Sequence, residues 1–150
     1  GPAGAGHYVK MVHNGIEYGI IQAYAEGLHL LAHGRYNDLN LKQITGIWEH
    51  GSIIRSWLLT LIHEIYAKEI AIDNVDGSIA EGGTGRWTVA EAQQQQIPVD
   101  VIEKSLEVRA QSRETGGNYG TQLVQLIRNQ FGGHPVAFKT KEEEGNDADI

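Results

Sequence analysis

Lys10, His13, Asn14 and Glu17 recur at helical spacing, so on an α-helix of 3.6 residues per turn they share one face, with Tyr18 beside them. An amine, an imidazole, an amide and a carboxylate would then project into one space. The amine and the carboxylate can exchange protons with a bound molecule, while the other two orient it by hydrogen bonds. Met11, Val12 and Ile16 lie off that face and are free to pack. Gly15 and Gly19 each cost a helix roughly 1 kcal/mol against alanine, which points to close backbone approach at those two positions. A surface lysine on an amphipathic helix is the ordinary reading of Lys10 alone; convergence of five polar groups favours an active-site wall.

Further blocks follow in order along the chain: Trp48-Glu49-His50-Gly51-Ser52, then Gly83-Thr84-Gly85-Arg86-Trp87-Thr88, then Arg109, then Arg128-Asn129-Gln130-Phe131-Gly132-Gly133-His134. Together with Lys10 to Gly19 and the glycine-rich entry Gly4-Ala5-Gly6, they resemble the C-terminal, substrate-binding domain of the decarboxylating 6-phosphogluconate dehydrogenases. The resemblance covers nearly all of the chain from Gly4 to Val136 and is most specific in the first block. It implies an all-α fold and an intertwined homodimer or dimer of dimers. The implied substrate is 6-phosphogluconate, oxidised and decarboxylated to ribulose 5-phosphate with NAD or NADP in the pentose phosphate pathway, without a metal.

The resemblance also implies roles. Lys10 is the expected general base for the alcohol proton, a task that requires its pKa to fall toward neutrality. Glu17 is the expected acid that protonates the enediol left by decarboxylation. His13, Asn14, Tyr18 and Thr84 are expected to bind substrate. Arg109 is expected to hold the phosphate in its own subunit, and Arg128 and His134 to reach the site of a partner subunit. Arginine suits this task because its planar fork binds phosphate oxygens in pairs. The bland role of Arg128 is an ion pair at the rim. At Gly82 the chain departs from the family's long form, which carries a lysine two residues before the threonine; one phosphate charge contact is absent. The tail follows without the long form's second helical segment, as in the short form.

The elements that must position these groups read as helices almost throughout. A first helix is expected over 6–32, stopped near Gly34. Asn40 starts a second that reaches Trp48. Ser52 caps a third, with Ile54, Trp57, Leu58, Leu61, Ile62 and Ile65 as its buried stripe. Residues 73–86 read as an irregular loop, and Thr88-Val89-Ala90-Glu91 as a capping box opening the next helix. After Pro98, Val101, Ile102, Leu106 and Val108 define a helix carrying Arg109. Asn118 caps a last one, with Tyr119, Leu123, Leu126 and Ile127 inward. One helical domain over 1–138 and a charged, disordered tail over 139–150 are expected.

The 150 residues carry a net charge of −7 and 41% hydrophobic residues, a balance that speaks against nucleic-acid binding. The absence of cysteine excludes disulfides, thiolate chemistry and cysteine-ligated zinc. No apolar run approaches the roughly 20 residues that cross a bilayer, and a cytoplasmic setting is expected. His29 and His33 are spaced for a metal but lack a visible third ligand. Neither Gly1 to Gly6 nor Gly82 to Gly85 has the spacing and the preceding strand of a dinucleotide fingerprint, so the cofactor is expected to be held by a domain outside this sequence. Two other readings stand beside the leading one. One is a related β-hydroxyacid dehydrogenase domain; the other is a helical dimerisation or sugar-phosphate-binding module without turnover.

Overall fold

The computed structural model describes residues 1–36 and 38–139; the expected disorder of the tail falls almost wholly on residues 140–150, outside the described residues. Among the described residues the chain is all-helical, apart from one isolated antiparallel bridge between Val75 and Phe138. Helix α1 (Ala5–His33) is the spine, about 40 Å long at 1.5 Å per residue. It begins after Gly4, whose φ of 90° is a left-handed conformation that favours glycine, and stops at Gly34. Helices α2 (Leu41–Gly51) and α3 (Trp57–Ala67) pack against each other. Helix α4 (Thr84–Gln94) and helix α5 (Asp100–Thr115) pack on α1, and α6 (Tyr119–Gly132) is inserted between α1 and α3.

The caps explain most boundaries. Asn40 Oδ1 accepts the Gln43 N–H at 3.0 Å and starts α2. Asn118 and Thr121 form a reciprocal box at the start of α6. Two expected starts are corrected. The cap of α3 is Ser56, whose Oγ accepts the Leu59 N–H at 3.1 Å. Ser52 instead accepts the Ile54 N–H at 3.2 Å in a turn after α2, so Ile54 is outside the helix, and Ser56 sits where the Tyr24 hydroxyl meets it at 2.9 Å. Helix α4 begins at Thr84 rather than Thr88. Thr88 lies one turn inside it and donates to the carbonyls of Thr84 (3.1 Å) and Met11 (2.8 Å), a contact with α1 that outweighs any local capping.

Apolar burial centres on α6, whose residues from Gly120 to Arg128 are all buried. Leu123, Val124 and Ile127 meet Ile21 and Leu28 of α1 and Ile62 and Ile65 of α3. The buried positions of α5 are Ser105, Arg109 and Ser112, a polar stripe at i, i+4 and i+7, whereas Val101 is exposed. Between α3 and α4 the expected loop is confirmed as far as Gly83, with a 3₁₀ turn at Ile72–Asn74. Val75, Gly77 and Ile79 are buried, and their strand-like backbone finds partners on the helices. Gln122 Nε2 donates to the carbonyls of Asp73 (3.1 Å) and Val75 (2.9 Å). Ser112 Oγ accepts the Ile79 N–H at 3.0 Å, and Arg113 donates to the Ile79 carbonyl at 3.0 Å. The loop is thereby fixed against α5 and delivers Gly82 and Thr84 to one place.

Candidate active site

Lys10, Asn14, Glu17, Tyr18, Thr84, Arg109, Arg128 and His134 line one cavity of about 290 Å³, together with Gly82 and Phe131. Eight of the nine expected site residues therefore converge, drawn from α1, α4, α5, α6 and the turn after α6. His13 is the exception. It is exposed, and it lines the adjacent cleft with Glu17, Ile20 and Trp57 rather than the main cavity. It still touches the site, because its Nδ1 lies 3.4 Å from Lys10 Nζ and 3.3 Å from Asn14 Oδ1. Lys10 Nζ donates to Asn14 Oδ1 at 2.8 Å, one helical turn on, which aims the ammonium along the helix face. Lys10 itself is exposed, at the open edge of the cavity.

Two glycines make this geometry possible. A Cβ on Gly15 would lie 2.7 Å from Thr88 Cγ2, so only glycine lets α4 approach α1 this closely. A Cβ on Gly85 would lie 2.5 and 2.7 Å from the Tyr18 ring. Tyr18 is thus wedged over α4, with its hydroxyl 3.5 Å from Thr84 Oγ1. The other face of the Tyr18 ring carries Arg109, whose guanidinium carbon stands 3.5 Å from the ring centroid, a cation–π stack.

Arg109 is only 2% exposed, and its Nε and NH1 have no hydrogen-bond partner. Among the described residues no carboxylate forms an ion pair with Arg109 or Arg128; Glu81 is taken by Arg86 and Arg113. Burial pulls the Arg109 pKa from its usual range down to about 10; Tyr18 opposes the shift, Arg128 adds to it, and Glu17 again opposes it. Arg128 is lowered too, by burial first, against Tyr18 and Glu17. His134 falls below the ordinary histidine range through burial and the nearby Arg128, with Glu17 opposing, so it is a neutral hydrogen-bonding group near pH 7.

Arg128 and His134, expected to reach a partner's site, lie within the one chain beside Lys10. Both line the cavity of the chain that carries Lys10, because the Leu123–Ile127 stretch just before Arg128 fills that chain's own core. Sequence reasoning missed Phe131, which lies within a quoted block three residues after Arg128 and so on the same face of α6. It also missed the tight contact of Gly85 with Tyr18, for which the Gly-x-Gly run was the signal. His29 and His33 stack edge to face at 5.1 Å and pack on Tyr119; among the described residues no three potential metal ligands cluster. No helix among them is long and apolar enough to cross a membrane.

The helical domain thus buries two arginines without an acidic partner, in one cavity with a lysine and a carboxylate, an arrangement whose free donors can take a small anion. Residues 6–119 match the family model described as 6-phosphogluconate dehydrogenase, C-terminal domain, and the chain belongs to that family. The NAD(+)-dependent, decarboxylating 6-phosphogluconate dehydrogenase of Haloferax volcanii is 48% identical over 140 residues, covering 93% of this chain and 46% of that protein. The putative 6-phosphogluconate dehydrogenase YqeC of Bacillus subtilis is 40% identical over 139 residues, with the same coverage of 93% and 46%. The decarboxylating enzyme of Synechocystis is 37% identical over 119 residues, 75% of this chain and 25% of that protein. The chain thus spans about half the length of the first two relatives.

Proposed function

We propose that this chain is the substrate-binding and catalytic half of a decarboxylating 6-phosphogluconate dehydrogenase, working in the cytoplasm as a homodimer or a dimer of dimers. The observation that carries the reading is Arg109: a buried cation with two unpartnered nitrogens, in the same cavity as Lys10 and Glu17. Leaving buried charged donors unsatisfied costs about 1–3 kcal/mol or more, and a phosphate dianion removes that cost. Arg109, Arg128 and Thr84 hold the phosphate in this reading, with Tyr18 as the platform under Arg109. Asn14 and His13 orient hydroxyl and carboxylate groups, and neutral His134 adds a hydrogen bond.

Lys10 Nζ takes the proton of the carbon-3 hydroxyl as hydride leaves that carbon. The resulting ammonium then hydrogen-bonds the keto oxygen while carbon dioxide departs. The electron pair of the broken carbon–carbon bond is left as an enediolate, and the Glu17 carboxyl delivers a proton to its carbon, giving ribulose 5-phosphate. A nicotinamide dinucleotide supplies the hydride acceptor. In this reading a strand, glycine turn and helix in another part of a longer protein hold it. The exposed edge at Lys10 is where such a part would close. Closure would also desolvate the amine, which favours its neutral, basic form.

The test has two stages. The 150-residue chain alone should bind 6-phosphogluconate without turnover, because positioning the hydride acceptor is worth several kcal/mol of barrier, roughly 7–11 in the best cases. Joined to a nucleotide-binding domain it should turn over, Lys10→Met should abolish oxidation, and Glu17→Ala should slow the late protonation more than hydride transfer. A chain that shows no affinity for 6-phosphogluconate by calorimetry would sink the proposal.

A further inference from the structure

Arg128 is 6% exposed, and its NH1 donates to the amide oxygen of Gln125 at 3.0 Å, one helical turn earlier on α6. The Gln125 amide nitrogen donates in the opposite direction, to the Ser78 carbonyl at 2.7 Å. These two bonds fix which way the amide faces. Reversed, it would set its NH₂ against a guanidinium and its oxygen against a carbonyl. Ser78 belongs to the buried loop that runs on to Gly82 and Thr84, both in the cavity wall. Gln125 is itself buried and does not line the cavity.

We infer that Gln125 is a positioning residue: it holds the Arg128 guanidinium at the phosphate end of the cavity and locks it to the loop that carries Gly82 and Thr84. The neutrality of the acceptor matters. A glutamate there would still accept from Arg128, but it would set an oxygen against the Ser78 carbonyl and consume the arginine's charge in a buried ion pair, leaving less for a ligand. An amide orients the cation and leaves its charge available. This rests on the proposed reading of the cavity as a sugar-phosphate site and adds the residue that tunes its preference for a phosphorylated ligand.

The test titrates the 150-residue chain with 6-phosphogluconate and with gluconate, which lacks the phosphate, in the wild type, Gln125→Glu and Gln125→Met. Wild type should prefer 6-phosphogluconate. Gln125→Glu should weaken that ligand by about thirtyfold and Gln125→Met by about fivefold, while gluconate binding changes less than about twofold in both. The ratio of the two affinities is the readout, since a merely structural role would weaken both ligands in parallel. Should Gln125→Glu fail to fold, the neutral and nearly isosteric Gln125→Met gives the same comparison. A ratio of the two affinities that is unchanged from wild type in the folded variants, or parallel loss of both ligands, overturns the role of Gln125 alone. Wild-type chain that binds neither ligand removes the reading of the cavity and this inference with it.

Discussion

Arg109 is where a side chain's chemistry and its surroundings are most at odds. Burial depresses its pKa in the folded chain to about 10, below the ordinary arginine range, so the sign follows directly. Stability from this group is present only above the unfolded value and is lost as pH falls from that value to about 10. Throughout the working range, then, the full penalty of about 3 kcal/mol stands, offset in part by the Tyr18 stack. Arg109→Met should therefore raise the melting temperature of the ligand-free chain near pH 7 by several degrees. It should also remove the further rise that 6-phosphogluconate gives the wild type. A lower melting temperature in differential scanning calorimetry would show that the guanidinium is stabilised by something other than a ligand. The individual site residues were legible because their types are chemically distinctive. Gln125 was not, since a glutamine in a polar-looking helix carries no sign that both ends of its amide are buried and engaged.

At the scale of elements, the helices were readable from apolar period and from caps, and the misplacements share one cause. Ser52 and Thr88 both have the local pattern of a cap, but the deciding contacts come from α1: Tyr24 meets Ser56, and the Met11 carbonyl takes the Thr88 hydroxyl. Local propensity is overridden where a tertiary hydrogen bond is available. The polar buried stripe of α5 was illegible for a related reason, because period analysis follows apolar residues and Ser105, Arg109 and Ser112 are none. The α1–α4 seam gives a prediction at this scale. Gly85→Ala should push the Tyr18 ring off its seat and take Arg109 with it, weakening 6-phosphogluconate binding at least tenfold, while overpacking costs about 1–3 kcal/mol in denaturant titrations. Unchanged affinity would show that Tyr18 tolerates displacement without disturbing Arg109.

On the whole molecule, Ile53 is fully exposed and Trp57 is 66% exposed, and Ile16 and Ile20 continue this apolar face on α1. Its extent supports the proposed homodimer. Ile20→Asp combined with Ile53→Asp should lower the sedimentation mass to that of one chain; an unchanged mass would place the interface elsewhere. Whether subunits share sites is a separate matter. Where each site draws Lys10 and His134 from one chain, as the cavity does here, Lys10→Ala subunits mixed with His134→Ala subunits of an active enzyme carrying this domain should recover no activity. A shared site would instead recover about a quarter, because half of the dimers are mixed and each of those has one intact site. That allocation depends on very little chain. Only Gly116, Gly117 and Asn118 join α5 to α6, and the two glycines turn it with φ of 78° and 77°. Were this turn to open, α6 could dock in a second copy and make every contact it now makes at home, a domain swap that conserves the core and reassigns Arg128 and His134 to the neighbour. A Cβ at Gly116 would meet no neighbouring atom, but a β-branched residue strains the left-handed turn by about 1–3 kcal/mol, so Gly116→Val in both parents should favour the exchanged form and bring the mixing experiment from nothing toward a quarter. On this account the ownership of an active site rests on three residues, and Gly116→Val should trade private sites for communal ones.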